Sequence, residues 1–429
     1  MAGFPYRCAC QVPFPLCHGA TFVVCHATTD AFSFIVAALS LSLLGDVFEM
    51  RMLVLGAGLQ GSACAYDLLQ DKEVDQVRLA DLKISHLPNF LAPHSGRRLL
   101  PTPVDVRDED AVRGLMRECD AVMSAIPYYF NFDMARLAVE AGVHFTDLGG
   151  NTEIVNQQKT LDAEAKRKNI TVVPDTGLAP GMVNILAEYG IRQLDTVKSV
   201  RIYVGGLPQA PEPPLGYQIV YSLEGVLDYY TTLSWVLRGG KRTQVVALSE
   251  REPVKFGDGV GTLEAFHTAG GLSTMAFRYE NRIPEMEYKT LRYPGHAERM
   301  EAIRELGLLD LQPVDVKGLK VVPRDAFMAI VGPRLTKPEG KDLVALRVVV
   351  SGTKGGAPKM LTWELIDRYD EKHHISAMMR TTGYSLSITA MMQVRGEVRP
   401  AGVHTPDECM PPARYIEELG KRGVQIHEI

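Results

Sequence analysis

Long apolar segments, one-sided charge and paired cysteines are all missing from this 429-residue chain, and each absence excludes a class of protein. No apolar run reaches the roughly 18 residues that a membrane-spanning helix requires. A formal net charge of −5 with both signs interspersed argues against a surface for nucleic acid or anionic lipid. Beyond residue 49 only Cys64, Cys119 and Cys409 occur, which gives no disulfide framework and favours a reducing cytoplasm.

Motifs for metal binding and serine hydrolysis are missing as well. The chain has no HExxH, no paired CxxC and no GxSxG sequence, and its adjacent His373 and His374 would point apart in an extended segment. We therefore predict no metal site and no serine-hydrolase activity. A hydrophobic fraction of 46% and a charged fraction of 23% are ordinary for a globular enzyme of two or three domains.

The first 49 residues differ in composition from the rest of the chain. They carry a single basic residue, Arg7, and four of the seven cysteines. The spacing of these cysteines matches no common zinc pattern, and the apolar run at 31–44 lacks the basic flank of a signal peptide. We predict that residues 1–49 are not part of the working fold, which would begin at Met50 or Met52.

A glycine-rich turn follows the first apolar strand of the body. The run at 52–55 suits a buried parallel strand. In the G-x-G-x-x-G pattern that follows, the first glycine allows a tight bend, the second admits a pyrophosphate and the third lets the next helix pack closely. The amino end of that helix would offer N–H groups to the phosphates. The pattern predicts a dinucleotide site formed by Gly56, Gly58, Leu59, Gln60 and Gly61.

An acidic residue stands where the second strand of such a unit should end. Residues 77–80 predict that strand, and Asp81 follows it, 20 residues after Gly61. A carboxylate at this place accepts hydrogen bonds from the adenosine ribose and repels a 2′-phosphate. The sequence therefore predicts NAD, rather than NADP, as the cofactor.

Alternating strands and helices continue to about residue 180 and predict an α/β fold with a Rossmann-type doubly wound parallel sheet. Functional groups in such sheets collect beyond the carboxyl ends of the strands. Tyr128, Asp147 and Asp175 follow three of these strand ends and should share one edge of the sheet. The expected cofactor contacts at this edge are Asp105 and Val106 beside the adenine, and Ala125, Ile126 and Pro127 beside the nicotinamide ribose.

From about residue 195 the pattern changes to strands with few long helices, which predicts a second α+β domain with a mixed or antiparallel sheet. Two helical segments and a short strand close the chain, and we expect this tail to return to the first domain. The predicted division is a leader at 1–49, a NAD-binding Rossmann domain at 50–180 completed by about 380–429, and a substrate and dimerisation domain at 181–379.

Several ordered motifs resemble those of a known family. They are "SAIPYYFN", "VHFTDLGGN", "PDTGLAPGMVNILA", "YSLEGVLDYY", "AFHTAGGLSTM", "KTLRYPGH" and "RTTGYSLSITA". With the glycine-rich turn, they resemble the saccharopine dehydrogenase family over residues 50–429, and most closely its lysine 6-dehydrogenase branch. The resemblance implies NAD-dependent oxidation of the ε-carbon of L-lysine to an imine, which water hydrolyses to allysine and ammonia.

Such chemistry needs a neutral amine, a proton acceptor and an anchor for the α-carboxylate. Lys289 and Arg292 are the candidate anchors, with Tyr128 as a further substrate contact. Because Lys289 and Arg292 are three residues apart in an expected strand, their side chains should point to opposite faces, and only one of the two should reach the cleft. The candidates for proton transfer or amine binding are Asp147, Asp175, Glu224 and His267, each of which has a structural alternative as a turn cap, a helix start or a buried histidine.

The sequence is also compatible with two other functions. A related enzyme acting on a secondary amine, such as saccharopine or carboxynorspermidine, would need extra cationic groups, for which Arg242 and Arg380 are candidates. A non-catalytic NAD-binding protein would form no NADH with any amine. We expect a small amino-acid substrate, a homodimer or higher homo-oligomer, and no nucleic-acid or membrane partner.

Overall fold

Seven parallel strands form the first sheet in the computed structural model, which describes residues 50–429. They are β1 (Met50–Leu55), β2 (Val74–Asp81), β3 (Leu99–Pro103), β4 (Ala121–Ser124), β5 (His144–Asp147), β6 (Thr171–Val173) and β17 (Gly402–Val403). Their order is β17-β6-β5-β4-β1-β2-β3, so the winding reverses beside β1. This confirms the predicted doubly wound sheet, in which ligands bind at the point of reversal. The predicted leader at 1–49 lies outside the described residues.

Helices cover both faces of the first sheet. They are α1 (Leu59–Gln70), α2 (Glu109–Met116), α3 (Asn131–Ala141), α4 (Thr152–Lys159), α5 (Asp162–Arg167) and α6 (Met182–Ile191). Met52 and Val54 of β1 enter one apolar cluster, whereas Leu53 and Leu55 enter another. Alternate side chains of a strand point to opposite faces, so a stretch buried on both sides must be apolar, as β1 is from Met52 to Leu55.

A second sheet of nine strands follows in the chain. Its strands are β7 (Thr196–Pro208), β8 (Ser234–Arg238), β9 (Lys241–Val245), β10 (Glu252–Phe256), β11 (Gly261–His267), β12 (Glu285–Arg292), β15 (Asp342–Lys354), β16 (Ala357–Arg368) and β18 (His427–Glu428). Strand β7 pairs in parallel with β12 and antiparallel with β15. The sheet is therefore mixed, as the sequence predicts.

Short helices and one separate hairpin accompany the second sheet. The helices are α7 (Leu223–Thr231), α8 (Met275–Arg278), α9 (His296–Glu305) and α10 (Pro323–Leu335), and the hairpin is β13 (Val314–Val316) with β14 (Leu319–Val321). The hairpin joins neither large sheet. We call residues 306–335, which contain the hairpin and α10, the arm. Leu306, Leu311 and Leu319 of the arm are exposed.

The tail of the chain contacts both sheets. It contains α11 (Ala377–Val394), α12 (Pro406–Cys409) and α13 (Pro412–Lys421). Helix α11 packs so closely on α1 that a Cβ at Gly383 would lie 2.7 Å from the carbonyl oxygen of Gln60. Strand β17 extends the first sheet, whereas β18 pairs with β16 of the second. None of the described helices is long and apolar enough to cross a membrane.

Candidate active site

A cavity of about 400 Å³ lies where the carboxyl edge of the first sheet meets the second sheet. The glycine-rich turn and the segments that follow β4, β5 and β6 form one side of its wall. Strands β7 and β12, helix α7 and the start of α11 form the other side. Its principal polar and charged lining residues are Gln60, Tyr128, Glu224, Asp228, Tyr229 and Arg292.

The turn between β1 and α1 is shaped to receive a phosphate group. Gly56 has a φ of +100°, and a Cβ at Gly61 would lie 1.8 Å from the Gly56 carbonyl oxygen, so neither position tolerates a side chain. At Gly58, by contrast, an added Cβ would meet nothing within 4 Å, so the backbone is open to the cavity. No side chain caps α1, which leaves its first N–H groups to a ligand.

Two further groups beside the turn fit a dinucleotide. The amide of Gln60 is buried and has no hydrogen-bond partner among residues 50–429, as expected of a group that meets a bound ligand. The Asp81 carboxylate, at the end of β2, accepts hydrogen bonds from the N–H groups of Ala57 (2.7 Å) and Lys83 (2.9 Å). These bonds hold the carboxylate at the turn, where the adenosine ribose of a bound cofactor would lie.

The remaining predicted cofactor contacts occupy two places. Ala125, Ile126 and Pro127 line the cavity directly after β4. Asp105 follows β3 and is paired with Arg107 at 2.5 Å. Hydrogen bonds from Arg107 lower the pKa of Asp105 to about 2. Asp105 and the neighbouring Val106 are outside the cavity wall, so the predicted adenine contact stays a prediction.

Arg292 is the one cation on the cavity wall within the described part of the chain. It is 3% exposed. Its Nε donates to the Tyr230 hydroxyl (3.2 Å), and its guanidinium lies 5.0 Å from the centre of the Tyr217 ring. No carboxylate in the described residues forms an ion pair with it. A buried guanidinium without an acidic partner is suited to bind an anionic ligand group, because burying an unpaired charge is costly.

Strand alternation separates Arg292 from Lys289. Tyr288, Thr290 and Arg292 face the cavity from β12, whereas Lys289 faces the other side of the sheet. There its Nζ lies 2.7 Å from Glu252 Oε1 and donates to the Glu250 carbonyl oxygen at 2.8 Å. The prediction that Lys289 binds substrate is therefore at odds with its position.

Two acidic residues on α7 line the cavity. Glu224 and Asp228 are four residues apart and so share one face of the helix. The Asp228 Oδ1 lies 2.5 Å from the guanidinium of Arg324, whereas Glu224 is exposed and forms no ion pair with any described residue. Burial, and then the charges of Asp228 and Glu224, raise the pKa of Tyr128. The acids therefore lie near Tyr128, at the β4 edge.

Asp147 and Asp175 hold the loop at 148–150 from inside the fold. Asp147 accepts hydrogen bonds from the Gly149 N–H (2.7 Å) and the Gln158 amide (2.7 Å). Asp175 accepts one from the Gly150 N–H (3.1 Å) and one from the Ser273 hydroxyl. Burial raises the pKa of Asp147 to about 6 and that of Asp175 to about 7. Neither lines the cavity, so their positions favour the turn-capping alternative over the predicted proton relay.

His267 belongs to a second cluster, on the far side of β12 from the cavity. Its Nε2 lies 3.1 Å from Glu250 Oε2 and 3.8 Å from Glu287 Oε2. These three residues could approach a metal ion, but the guanidinium of Arg238 bridges both carboxylates, at 2.9 and 2.7 Å. His267 does not line the cavity, so its role in proton transfer stays a prediction that its position does not favour.

Sequence reasoning missed Asp228 and Tyr229 on α7, and Tyr288 and Thr290 on β12. Helical spacing from Glu224 could have indicated Asp228, and strand alternation from Arg292 could have indicated Thr290 and Tyr288. The extra cations considered for a secondary-amine substrate are elsewhere. Arg242 pairs with Glu280 at 2.7 Å and Arg380 with Asp367 at 2.9 Å, and neither lines the cavity.

Comparison with known proteins gives matches over almost all of the described chain. The family model of the saccharopine dehydrogenase NADP binding domain matches residues 52–173, and that of the saccharopine dehydrogenase C-terminal domain matches residues 177–424. A Saccharomyces cerevisiae relative, saccharopine dehydrogenase [NADP(+), L-glutamate-forming], is 28% identical over 271 residues, 59% of this chain and 57% of the relative. Mitochondrial alpha-aminoadipic semialdehyde synthase of Bos taurus is 28% identical over 307 residues, 66% of this chain and 29% of the relative.

The matched regions cover little more than half, or less, of these relatives' own length. Among solved structures, apo saccharopine dehydrogenase (L-Glu forming) from Saccharomyces cerevisiae has a TM-score of 0.72 at 21% identity and covers 89% of this chain and 99% of that chain. Homospermidine synthase from Legionella pneumophila, in complex with NAD, has a TM-score of 0.63 at 12% identity, with 89% and 91% covered. These two structures share the fold described above.

Proposed function

The chain belongs to the saccharopine dehydrogenase family, and from that premise we propose that it is an NAD-dependent oxidoreductase that removes the ε-amino group of L-lysine. The products are allysine and ammonia. Hydride leaves the ε-carbon as the nitrogen lone pair forms a C=N bond, water adds to the iminium ion, and ammonium departs to leave the aldehyde. When bound, the oxidised nicotinamide supplies the hydride acceptor.

The charges on the cavity wall carry the proposal. Within residues 50–429 the wall has one cation, Arg292, and two carboxylates, Glu224 and Asp228. Lysine offers one carboxylate and two amino groups, which complement this set. Saccharopine carries additional carboxylates, which would face Glu224 and Asp228 without further cations to pair with. Like-charge contacts of this kind favour lysine over saccharopine.

The distribution of these charges supports oxidation at the ε-carbon. Arg292 projects from β12 of the second sheet, whereas the two acids lie near Tyr128 at the β4 edge. The segment after β4 is where the nicotinamide end of a bound cofactor is expected. A lysine whose α-carboxylate is bound by Arg292 would then extend its ε-amino group toward the hydride acceptor. The reaction at the ε-carbon requires this orientation.

A screen of substrates and cofactors tests the proposed function. We expect L-lysine with NAD to form NADH fastest at alkaline pH, with one ammonia released for each NADH. Saccharopine, ornithine and carboxynorspermidine, each with NAD and with NADP, are the comparisons. Faster turnover of saccharopine without ammonia release would refute the assignment, and no turnover with any amine would favour a non-catalytic nucleotide-binding protein.

Among the alternative substrates, carboxynorspermidine matches the charges of the cavity wall better than saccharopine does. It presents one carboxylate together with several nitrogens, so the single cation of the cavity suits it as well. Ammonia distinguishes the two reactions, because cleavage of a secondary amine releases a larger amine and no ammonia.

Cofactor choice is expected to depend on Asp81. The family model that matches this part of the chain is described as NADP binding, so our proposal of NAD depends on the Asp81 carboxylate. Asp81→Ala should weaken NAD binding by about 1.5–3 kcal/mol through loss of a charge-assisted hydrogen bond. It should also narrow the preference for NAD over NADP, since the repulsion of a 2′-phosphate is lost. Titration of both cofactors by fluorescence measures the change, and an unaltered preference would mean that Asp81 does not contact the ribose.

We also propose that the protein is a cytoplasmic homo-oligomer. Its Cys64, Cys119 and Cys409 are buried free thiols, in keeping with a reducing compartment. Exposed apolar side chains on the arm are of the kind that subunit contacts cover. Light scattering after size-exclusion chromatography should give a dimer or larger species, and a monomer at micromolar concentration would contradict this.

A further inference from the structure

We infer that Asp228, oriented by Arg324 of the arm, stabilises the positive charge that develops on the substrate nitrogen as hydride leaves. The inference rests on the proposed function and adds a charge-stabilising residue and a positioning residue to it. Arg324 comes from a segment that is otherwise largely exposed, yet it is the one buried residue of α10. The other residues of α10 are exposed or only partly buried, so an arginine as its one buried residue calls for a specific explanation.

The guanidinium of Arg324 is held on three sides. Its Nη1 lies 2.5 Å from Asp228 Oδ1, its Nη2 donates to the Thr231 hydroxyl at 2.9 Å, and its Nε donates to the Leu309 carbonyl oxygen at 3.0 Å. Asp228 and Thr231 are on α7, and Leu309 is at the start of the arm. Arg324 therefore links α7 to the arm through these contacts. The same contacts hold the Asp228 side chain in one position.

The second oxygen of Asp228 remains available to a ligand. Within the described residues, Oδ2 makes no hydrogen bond, although the side chain is only 28% exposed and lies on the cavity wall. Glu224, the other acid on this face, is exposed, forms no ion pair with a described residue and has the longer side chain. Of the two carboxylates, Asp228 is the one that the fold holds in a fixed position.

A fixed carboxylate suits the charge change in the reaction. The neutral amine becomes an iminium cation when two electrons leave with the hydride, so positive charge appears on nitrogen in the transition state. A preorganised negative group near that nitrogen lowers the barrier, because it needs no reorganisation as the charge develops. Asp228 thus stabilises the charge and leaves the proton to solvent.

The test compares kcat at about pH 10.5, where roughly half of the ε-amine is neutral, so that ammonium binding obscures the result less than at neutral pH. We expect Asp228→Asn to lower kcat by about 10²-fold, the effect of removing one preorganised charge-stabilising group, with a much smaller change in KM. Arg324→Gln should lower kcat by a comparable factor through misplacement of Asp228. The double variant should be no slower than Asp228→Asn alone, because the two residues act as a unit.

Two controls show whether a loss of kcat arises from catalysis or from a change in folding. Asp325→Asn removes a charge from the exposed neighbour of Arg324 on the same helix and should leave kcat unchanged. The melting temperature of each variant reports on folding, and the loss of kcat should persist at temperatures far below melting. Glu224→Gln should lower kcat less than Asp228→Asn.

Several outcomes would overturn the inference. They are wild-type kcat in Asp228→Asn or Arg324→Gln, additive losses in the double variant, or a larger loss in Glu224→Gln. A wild-type protein that does not oxidise lysine would refute the proposed function instead. The same variants would then be compared on the amine that the protein does oxidise, because iminium charge develops with any amine donor.

Discussion

Replacing Arg292 by glutamine should lower kcat/KM for L-lysine by about 10²–10³-fold, the largest loss we expect from a single substitution. The guanidinium is buried without an acidic partner, so an incoming carboxylate would gain charge-assisted hydrogen bonds in a site shielded from water. Removing one partner of such a buried pair costs about 2–5 kcal/mol. The rates of NADH formation at several lysine concentrations give the change directly.

A substrate without a carboxylate provides the control for this prediction. Cadaverine is lysine without its α-carboxylate, so Arg292→Gln should leave kcat/KM for cadaverine nearly unchanged and abolish the preference for lysine. Lys289→Gln is the matched variant, because it removes a cation from the same strand on the side away from the cavity. Equal losses with lysine and cadaverine in Arg292→Gln would show that Arg292 supports the fold and does not bind the carboxylate.

The rate of lysine oxidation should rise about tenfold for each pH unit from pH 7 to pH 10, because the free ε-amine has a pKa of about 10.4 and must be neutral to lose hydride. A carboxylate on the cavity wall can attract an ammonium group, but carboxylates are about six pKa units too weak as bases to deprotonate it. A plot of log(kcat/KM) against pH should therefore have a slope near one up to about pH 10.

Proton transfer to a buried acid would give a different pH profile. If Asp147 or Asp175 accepted the proton, with pKa values of about 6 and 7, the rate would rise only until that group was ionised and would then level off above about pH 8. Since neither lines the cavity, we expect no such plateau, and Asp147→Asn and Asp175→Asn should keep the slope. A plateau in the wild type that disappears in one variant would identify that residue as the relay.

Local pattern was enough to predict the first sheet and its edge. The glycine-rich turn, Asp81 and the strand ends could be placed because each depends on neighbours within a few dozen residues. Which side chains reach the cavity depends instead on contacts between distant segments. Asp175 follows a strand end as predicted. Its carboxylate, however, accepts a hydrogen bond inside the fold from the hydroxyl of Ser273, which is 98 residues away. Arg324 gave no signal at all, since its partner Asp228 is 96 residues earlier in the chain.

The contacts of the tail also bear on the order in which the protein is made. Strand β17 completes the first sheet, and α11 packs against the helix that carries the glycine-rich turn. During synthesis the strands β1 to β6 leave the ribosome before α11 and β17, which lie more than 200 residues later in the sequence. Because distant contacts of this kind form slowly, the nascent chain should gain affinity for its cofactor only after α11 and β17 have emerged and packed on the first sheet.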